Sequence, residues 1–135
     1  MKQSLPGITS IATLPCLSVP LFAMEKAIAG IPVGIMVKPA PVTHYGKASC
    51  DTESEYDNGS YLEKVTLQFE TTDRIDTSSP LAFVIHDANS RSFLIGCREA
   101  QFPVIEINKS NDNERNISKV KVSFTRRKAL IPCHV

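Results

Sequence analysis

The sequence predicts a mainly β protein, an antiparallel β-sandwich or partly closed barrel of six to eight strands with at most one short helix. Three observations carry this. Two stretches alternate strictly between apolar and polar residues, two shorter runs between them are almost wholly apolar, and turn-forming residues recur roughly every ten positions. No helical pattern alternates with the strands, as a doubly wound fold would require.

The first alternating stretch, 64–70, sets Val65, Leu67 and Phe69 against Lys64, Thr66, Gln68 and Glu70. The second, 119–125, sets Val120, Val122 and Phe124 against Lys119, Lys121, Ser123 and Thr125. Successive side chains of a strand point to opposite faces, so each stretch reads as a strand with one buried and one solvated face. Leu81 to His86 and Ser92 to Cys97 are instead nearly continuous apolar runs, separated by Asp87-Ala88-Asn89-Ser90-Arg91. Asp and Asn bond nearby backbone groups and Asn tolerates the left-handed conformation, which predicts a hairpin buried on both faces. Pro80 and Gly96 punctuate it. Val104 to Asn108 reads as a further strand after Pro103, and the polar stretch 109–116 as a flexible hairpin tip.

The first third is less regular. Ile8 to Leu14 reads as a strand, and Leu21 to Ala29 as one or two helical turns stopped by Gly30. Ile31, Val33, Ile35 and Val37 alternate with Pro32, Gly34, Met36 and Lys38, the pattern of an edge strand that begins at a proline. The segment 39–46 is Pro-rich and extended, and Asp51 to Ser60 is expected to be an acidic loop closed by the turn pair Asn58-Gly59.

A chain of 135 residues suffices for one domain, 1–135, with a real core. Apolar residues at 42% and charged residues at 21% lie far from the composition of disordered chains. Fifteen basic against 14 acidic residues leave a net charge of +1, no whole-molecule field for nucleic acid or an anionic membrane. Lys2 followed by apolar residues could open a signal peptide. However, Pro6, Pro15 and Pro20, with Thr9, Ser10 and Thr13, interrupt the apolar run such a segment needs. The expectation is synthesis in the cytoplasm, with these residues part of the fold.

Cys16, Cys50, Cys97 and Cys133 are widely spaced, with no C-x-x-C pair for a metal or a redox dithiol, and are expected to be buried free thiols; disulfides would need an oxidising compartment. His44, His86 and His134 have no partner at metal-ligand spacing, and His86 reads as a hydrogen-bonded structural imidazole. Neither a catalytic set nor a cofactor or metal site is expected. Charge position says more. Residues 51–57 hold four acids and no base, whereas 109–135 hold seven bases against two acids. Asp51, Glu53, Glu55 and Asp57 on one side, and Arg126, Arg127 and Lys128 on the other, are therefore the candidate interface residues. Such patches either keep the surface solvated or join an acidic pole of one copy to a basic pole of the next.

The order Val65-Thr66-Leu67-Gln68-Phe69, Leu81-Ala82-Phe83-Val84, Phe93-Leu94-Ile95-Gly96-Cys97-Arg98-Glu99-Ala100, Pro103 and Lys128-Ala129-Leu130-Ile131-Pro132-Cys133 resembles a group of small uncharacterised β-rich proteins. These are encoded in prophage-like regions of gut bacteria, among genes for virion assembly. The resemblance spans roughly residues 50 to 133 and includes no catalytic motif. It implies a non-enzymatic structural component of a tailed-phage particle, at the tail or head-tail junction, that associates with itself or with other virion proteins. The rival expectations are a secreted or surface binding module, for carbohydrate or adhesion, and a small hydrolase or metal enzyme using His44, His86 or His134.

Overall fold

The computed structural model describes residues 2–4, 7–19, 23–35, 38–57, 60–72, 75, 78–98, 102–112, 115–126 and 129–134. Its elements are β1 (Lys2–Ser4), β2 (Ile8–Pro15), a 3-10 turn (Cys16–Ser18), α1 (Ala23–Ile28), β3 (Val33–Gly34), β4 (Ala40–Val42), β5 (His44–Asp57), β6 (Ser60–Thr71), β7 (Leu81–Asp87), β8 (Ser92–Ile95), β9 (Val104–Asp112), β10 (Arg115–Arg126) and β11 (Ile131–His134). Two open sheets result, the arrangement of a sandwich and not of a closed barrel. One is five-stranded, β1-β5-β6-β10-β9, and antiparallel throughout. The other is six-stranded, β3-β11-β8-β7-β2-β4, with β3 and β11 parallel at its edge. The expected six to eight strands are present, and β1, β3 and β4 add pieces of two or three residues.

Register explains the main core. Phe69, Leu67 and Val65 of β6 stand opposite Val120, Val122 and Phe124 of β10, so the apolar sets of both alternating stretches share one face. Ile107 and Ile105 of β9 continue the Val120 and Val122 rows, and Cys50 of β5 stands opposite Leu67. That face packs on Ile11, Phe83, Ile85 and Ile95 of the six-stranded sheet. The Phe69 and Phe83 rings meet edge to face between the sheets, with centroids 6.2 Å apart and planes at 61°.

The β7–β8 hairpin is buried on both sides, as its continuous apolar runs require. Phe83, Ile85 and Ile95 face the first cluster, whereas Ala82, Val84 and Leu94 face a second one with Leu14, Cys16, Val19, Val33, Ile35, Ile131 and Cys133. The irregular first third thus covers the hairpin's other face. Within it, α1 ends as expected at Gly30, whose φ of 77° reverses the chain while Ile31 N–H donates to the Lys26 carbonyl at 2.8 Å. Val33 and Ile35 are buried but Ile31 is exposed, so only part of the predicted alternation faces inward; Met36 and Val37 lie outside the described residues.

Two expected loops are strands. The acidic stretch from Asp51 belongs to β5, which runs to Asp57, opposite Ser60. A two-residue connection remains at Asn58 and Gly59, where the turn signal falls, though these two lie outside the described residues. Likewise the polar stretch after Asn108 stays in the ladder, with Asp112 opposite Arg115. Polar composition suggested loops in both places, but a ladder needs only backbone partners.

Gly96 matters most at the end of β8. Its φ is 139°, and a Cβ there would lie 2.5 Å from the Cβ of Ala82. A side chain at Gly96 would therefore collide with Ala82 on the neighbouring strand, and the left-handed backbone there suits glycine alone.

Leu67→Ala, which empties a fully buried position between Cys50 and Val122, is expected to lower unfolding free energy by about 2–5 kcal/mol in denaturant titration. Gly96→Ala is expected to cost about 1–3 kcal/mol by overpacking, and adding Ala82→Gly should restore part of that loss.

Candidate functional site

The solvated face of the five-stranded sheet is an ordered lattice of polar side chains. Reading across β5, β6, β10 and β9, one row is Asp51, Thr66, Ser123 and Val104, and the next is Ser49, Gln68, Lys121 and Glu106. Glu53 stands opposite Lys64, and Glu70 opposite Lys119. Acids therefore sit beside bases, and opposite charges at cross-strand positions contribute roughly 0.2–1 kcal/mol each. The acidic stretch and the basic β10 do not form opposite poles, because a single strand, β6, separates them in one sheet. Glu55 and Asp57 share the backbone register of Asp51 and Glu53 on β5.

Arg126, expected as an exposed cation, is half-buried at the end of β10. Its Nη2 donates to the Cys97 Sγ at 3.5 Å, and its guanidinium carbon lies 5.8 Å from the Phe124 ring centroid. The reason is parity: Arg126 follows Val122 and Phe124 on the buried side of the strand. Arg127 and Lys128 lie outside the described residues. Just beyond them, Ala129 and Leu130 fill the end of the main core, and the Leu130 N–H donates to Glu63 Oε1 at 2.9 Å.

The β7–β8 turn is built around Asp87, a buried carboxylate. Its Oδ1 accepts the N–H groups of Asn89 (3.0 Å) and Arg91 (2.9 Å), and its Oδ2 accepts Arg91 Nε at 2.9 Å. Ser90 completes the turn at a φ of 62°. Burial pushes the Asp87 carboxyl up, but the Arg91 and Asn89 hydrogen bonds and the Arg91 charge outweigh it and hold the group below its ordinary value of 3.8. The same turn holds Arg91 over the Phe93 ring, 5.6 Å from its centroid, on the wall of an open cleft of about 560 Å³ that Pro32, Ser90, Ser92 and Pro132 also line.

His86 has its Nδ1 2.9 Å from the Ser10 Oγ on the neighbouring strand, a structural contact of the expected kind. His44 is half-buried opposite Thr71, and the His134 side chain lies outside the described residues. Among the described residues no three His, Cys, Asp or Glu side chains converge as a metal site would need. All four cysteines are buried and unbridged. Burial raises the thiols of Cys16 and Cys133 to about 11 and that of Cys50 to about 12.

Two features escaped the sequence. The cleft joins the turn after β7 to Pro132 and Pro32, and no local pattern marks that meeting. The open edge of β9 was likewise invisible until strand order was known: β10 pairs with one side, and among the described residues no strand pairs with the other. Comparison with known proteins finds no matching family model, no matching curated protein and no matching solved structure.

Because the folded pKa of Asp87 is depressed, its contribution to stability is present above 3.8 and is lost as pH falls through the lower folded value. Asp87→Asn is therefore expected to be less stable than the parent at neutral pH, with the gap closing in denaturant titrations taken to about pH 2.

Proposed function

We propose that this chain is a non-enzymatic, phage-derived structural or assembly protein that works by self-association or by docking to another virion protein. The open edge of β9 carries the proposal. An edge strand offers a row of unpaired N–H and C=O groups, the template on which another strand adds. This edge is nine residues long. Its inward-facing Ile105 and Ile107 are only partly buried, whereas Leu67 and Val122 deeper in the same sheet are fully buried. A further strand would complete their cover.

A second copy of β9, added antiparallel about a two-fold axis, joins the two five-stranded sheets into one. Charge chooses the register. Centring on Glu106 would oppose two carboxylates directly, whereas centring on Ile107 sets Glu106 opposite Asn108 and brings the two isoleucines together. The acids Asp51 and Glu53 lie on the outer face of the joined sheet. Placement at the tail or head-tail junction, after synthesis in the cytoplasm, rests on the resemblance of residues 50–133.

The cleft beside Phe93 favours a second reading, a surface binding module. An aromatic ring flanked by Arg91, Ser90 and Ser92 offers one apolar surface and several donors, the combination that sugars and other polar small molecules use.

Light scattering is expected to give twice the 14.8 kDa chain mass at both low and high salt, since backbone pairing and buried isoleucines are not screened. Asn108→Glu changes only an exposed side chain of β9, sets a carboxylate opposite Glu106 of the second copy in the register centred on Ile107, and is expected to return the protein to monomer with its far-ultraviolet dichroism unchanged. A parent that stays monomeric at every concentration, and recovers no virion partner, overturns the proposal.

A further inference from the structure

The open cleft beside the β7–β8 turn has a volume of about 560 Å³, within the roughly 300–1,000 Å³ of small-molecule sites. Register builds one wall of it. Pro132 of β11 stands opposite Phe93 of β8, and Pro32 precedes Val33, the parallel partner of Cys133, so Pro32 falls beside Pro132. Three ring side chains thus make one row, and all three line the cleft. With neighbouring strands about 4.8 Å apart, the row is about 10 Å long. Leu94 and Ile131 turn into the second apolar cluster, so Phe93 and Pro132 face the other side of the sheet. Phe93 touches the rim of the main core there, while Pro132 is half-buried and Pro32 exposed.

Beside this row stands Arg91, whose guanidinium is oriented before any ligand arrives. Asp87 Oδ2 accepts its Nε at 2.9 Å, and Asp87 Oδ1 is itself fixed by the N–H groups of Asn89 and Arg91. The guanidinium carbon lies 5.6 Å from the Phe93 ring centroid, and the side chain stays 54% exposed. No described residue accepts from its two Nη groups. A guanidinium held by its Nε leaves a paired Nη edge, which matches the two oxygens of a carboxylate. Among the described residues Arg91 is the only charged one on the cleft, and the buried Asp87 offsets part of its charge. Directed hydrogen bonds to one carboxylate therefore suit it better than a phosphate dianion, which relies on net charge. Ser90 and Ser92 line the same cleft.

We propose that the cleft binds a uronic-acid unit of an acidic polysaccharide, with the sugar's C–H face on the row of Phe93, Pro132 and Pro32 and its carboxylate on the Nη edge of Arg91. The inference rests on the reading of this cleft as a binding module and names the ligand class. A pyranose ring joins an apolar C–H face to an edge of hydroxyls, and the cleft sets an apolar row beside two serines and one guanidinium. Because the cleft is open, sugar units linked to the bound one stay in solvent.

The experiment titrates the isotope-labelled full-length chain with trigalacturonate, with the neutral trisaccharide maltotriose and with acetate, following backbone amide shifts. Trigalacturonate is expected to move the amides of Ser90 to Phe93 and of Cys133 in a saturable way. Maltotriose should bind about tenfold more weakly, the loss of one charge-assisted pair, and acetate should not saturate. Arg91→Gln should lower affinity for the acid to that for the neutral sugar. Arg91→Lys, which keeps the charge but not the planar fork, should weaken the acid several-fold, and the spread of amide signals establishes that each variant is folded. Equal binding of acid and neutral trisaccharide, or an acid affinity unmoved by both variants, overturns the proposal and leaves the module reading. Acetate shifts as large as those of trigalacturonate overturn it too, because the row then contributes nothing. No shift at the cleft from either sugar overturns both readings, and no arm of the experiment depends on the β9 edge.

Discussion

The hairpin of β7 and β8 carries apolar side chains on both of its faces, and water must be kept from each. Phe83, Ile85 and Ile95 need one cover, and Ala82, Val84 and Leu94 need another. Burying a side chain of the Val, Leu, Ile or Phe type contributes roughly 1.5–3 kcal/mol, so neither set can be left exposed in a domain of marginal stability. The five-stranded sheet supplies the first cover with a regular alternation of apolar residues. The second comes from outside the five-stranded sheet: the 3-10 turn with Cys16, Val19, the short edge strand with Val33, and Leu14, Ile131 and Cys133 of the neighbouring strands. That difference in supply is why the carboxyl-terminal two-thirds is regular and the amino-terminal third is not.

Closing a two-sheet stack at its ends is a polar problem as well as an apolar one. At one end, the chain between β10 and β11 changes sheets; Glu63 accepts the Leu130 N–H, Arg126 lies against the Phe124 ring, and Gly96 leaves room for Ala82. Each of these residues would look like surface in a sequence. Glu63 is tied to backbone and Arg126 to sulfur by the geometry of the crossing. At the other end of the hairpin, Asp87 gathers three donors and sets the direction of Arg91. The cleft is a by-product of these closures, in that two chain segments meet where the sheet terminates.

The outer face shows how linear charge clusters mislead. Acids bunched in residues 51–57 and bases bunched near the carboxyl terminus suggest a molecule with poles, but a sheet folds such runs side by side and the register interleaves them. With Glu53 beside Lys64 and Glu70 beside Lys119, long-range attraction between copies is weak, and what is left for association is the backbone of an edge. Strand pairing is directional and short-ranged.

Much of this architecture is legible in the order of residues. Alternation at 64–70 and 119–125 sets which side chains are buried whatever the neighbours, because the pleat has a period of two. Continuous apolar runs around Asp87 to Arg91 specify a hairpin covered on both faces, and Gly30 specifies the end of the helix, since both depend on local chemistry. The polar stretches at 51–57 and 109–112 are strands although their composition predicts loops, because a polar stretch joins a ladder wherever a partner strand runs beside it. The same applies to the inward turn of Arg126 and the open flank of β9. Local residue patterns determined the strands and their buried faces. Strand order, edges and the convergence of distant side chains were decided only by the tertiary packing, because they depend on which surfaces are left over once the two faces of one hairpin have been covered.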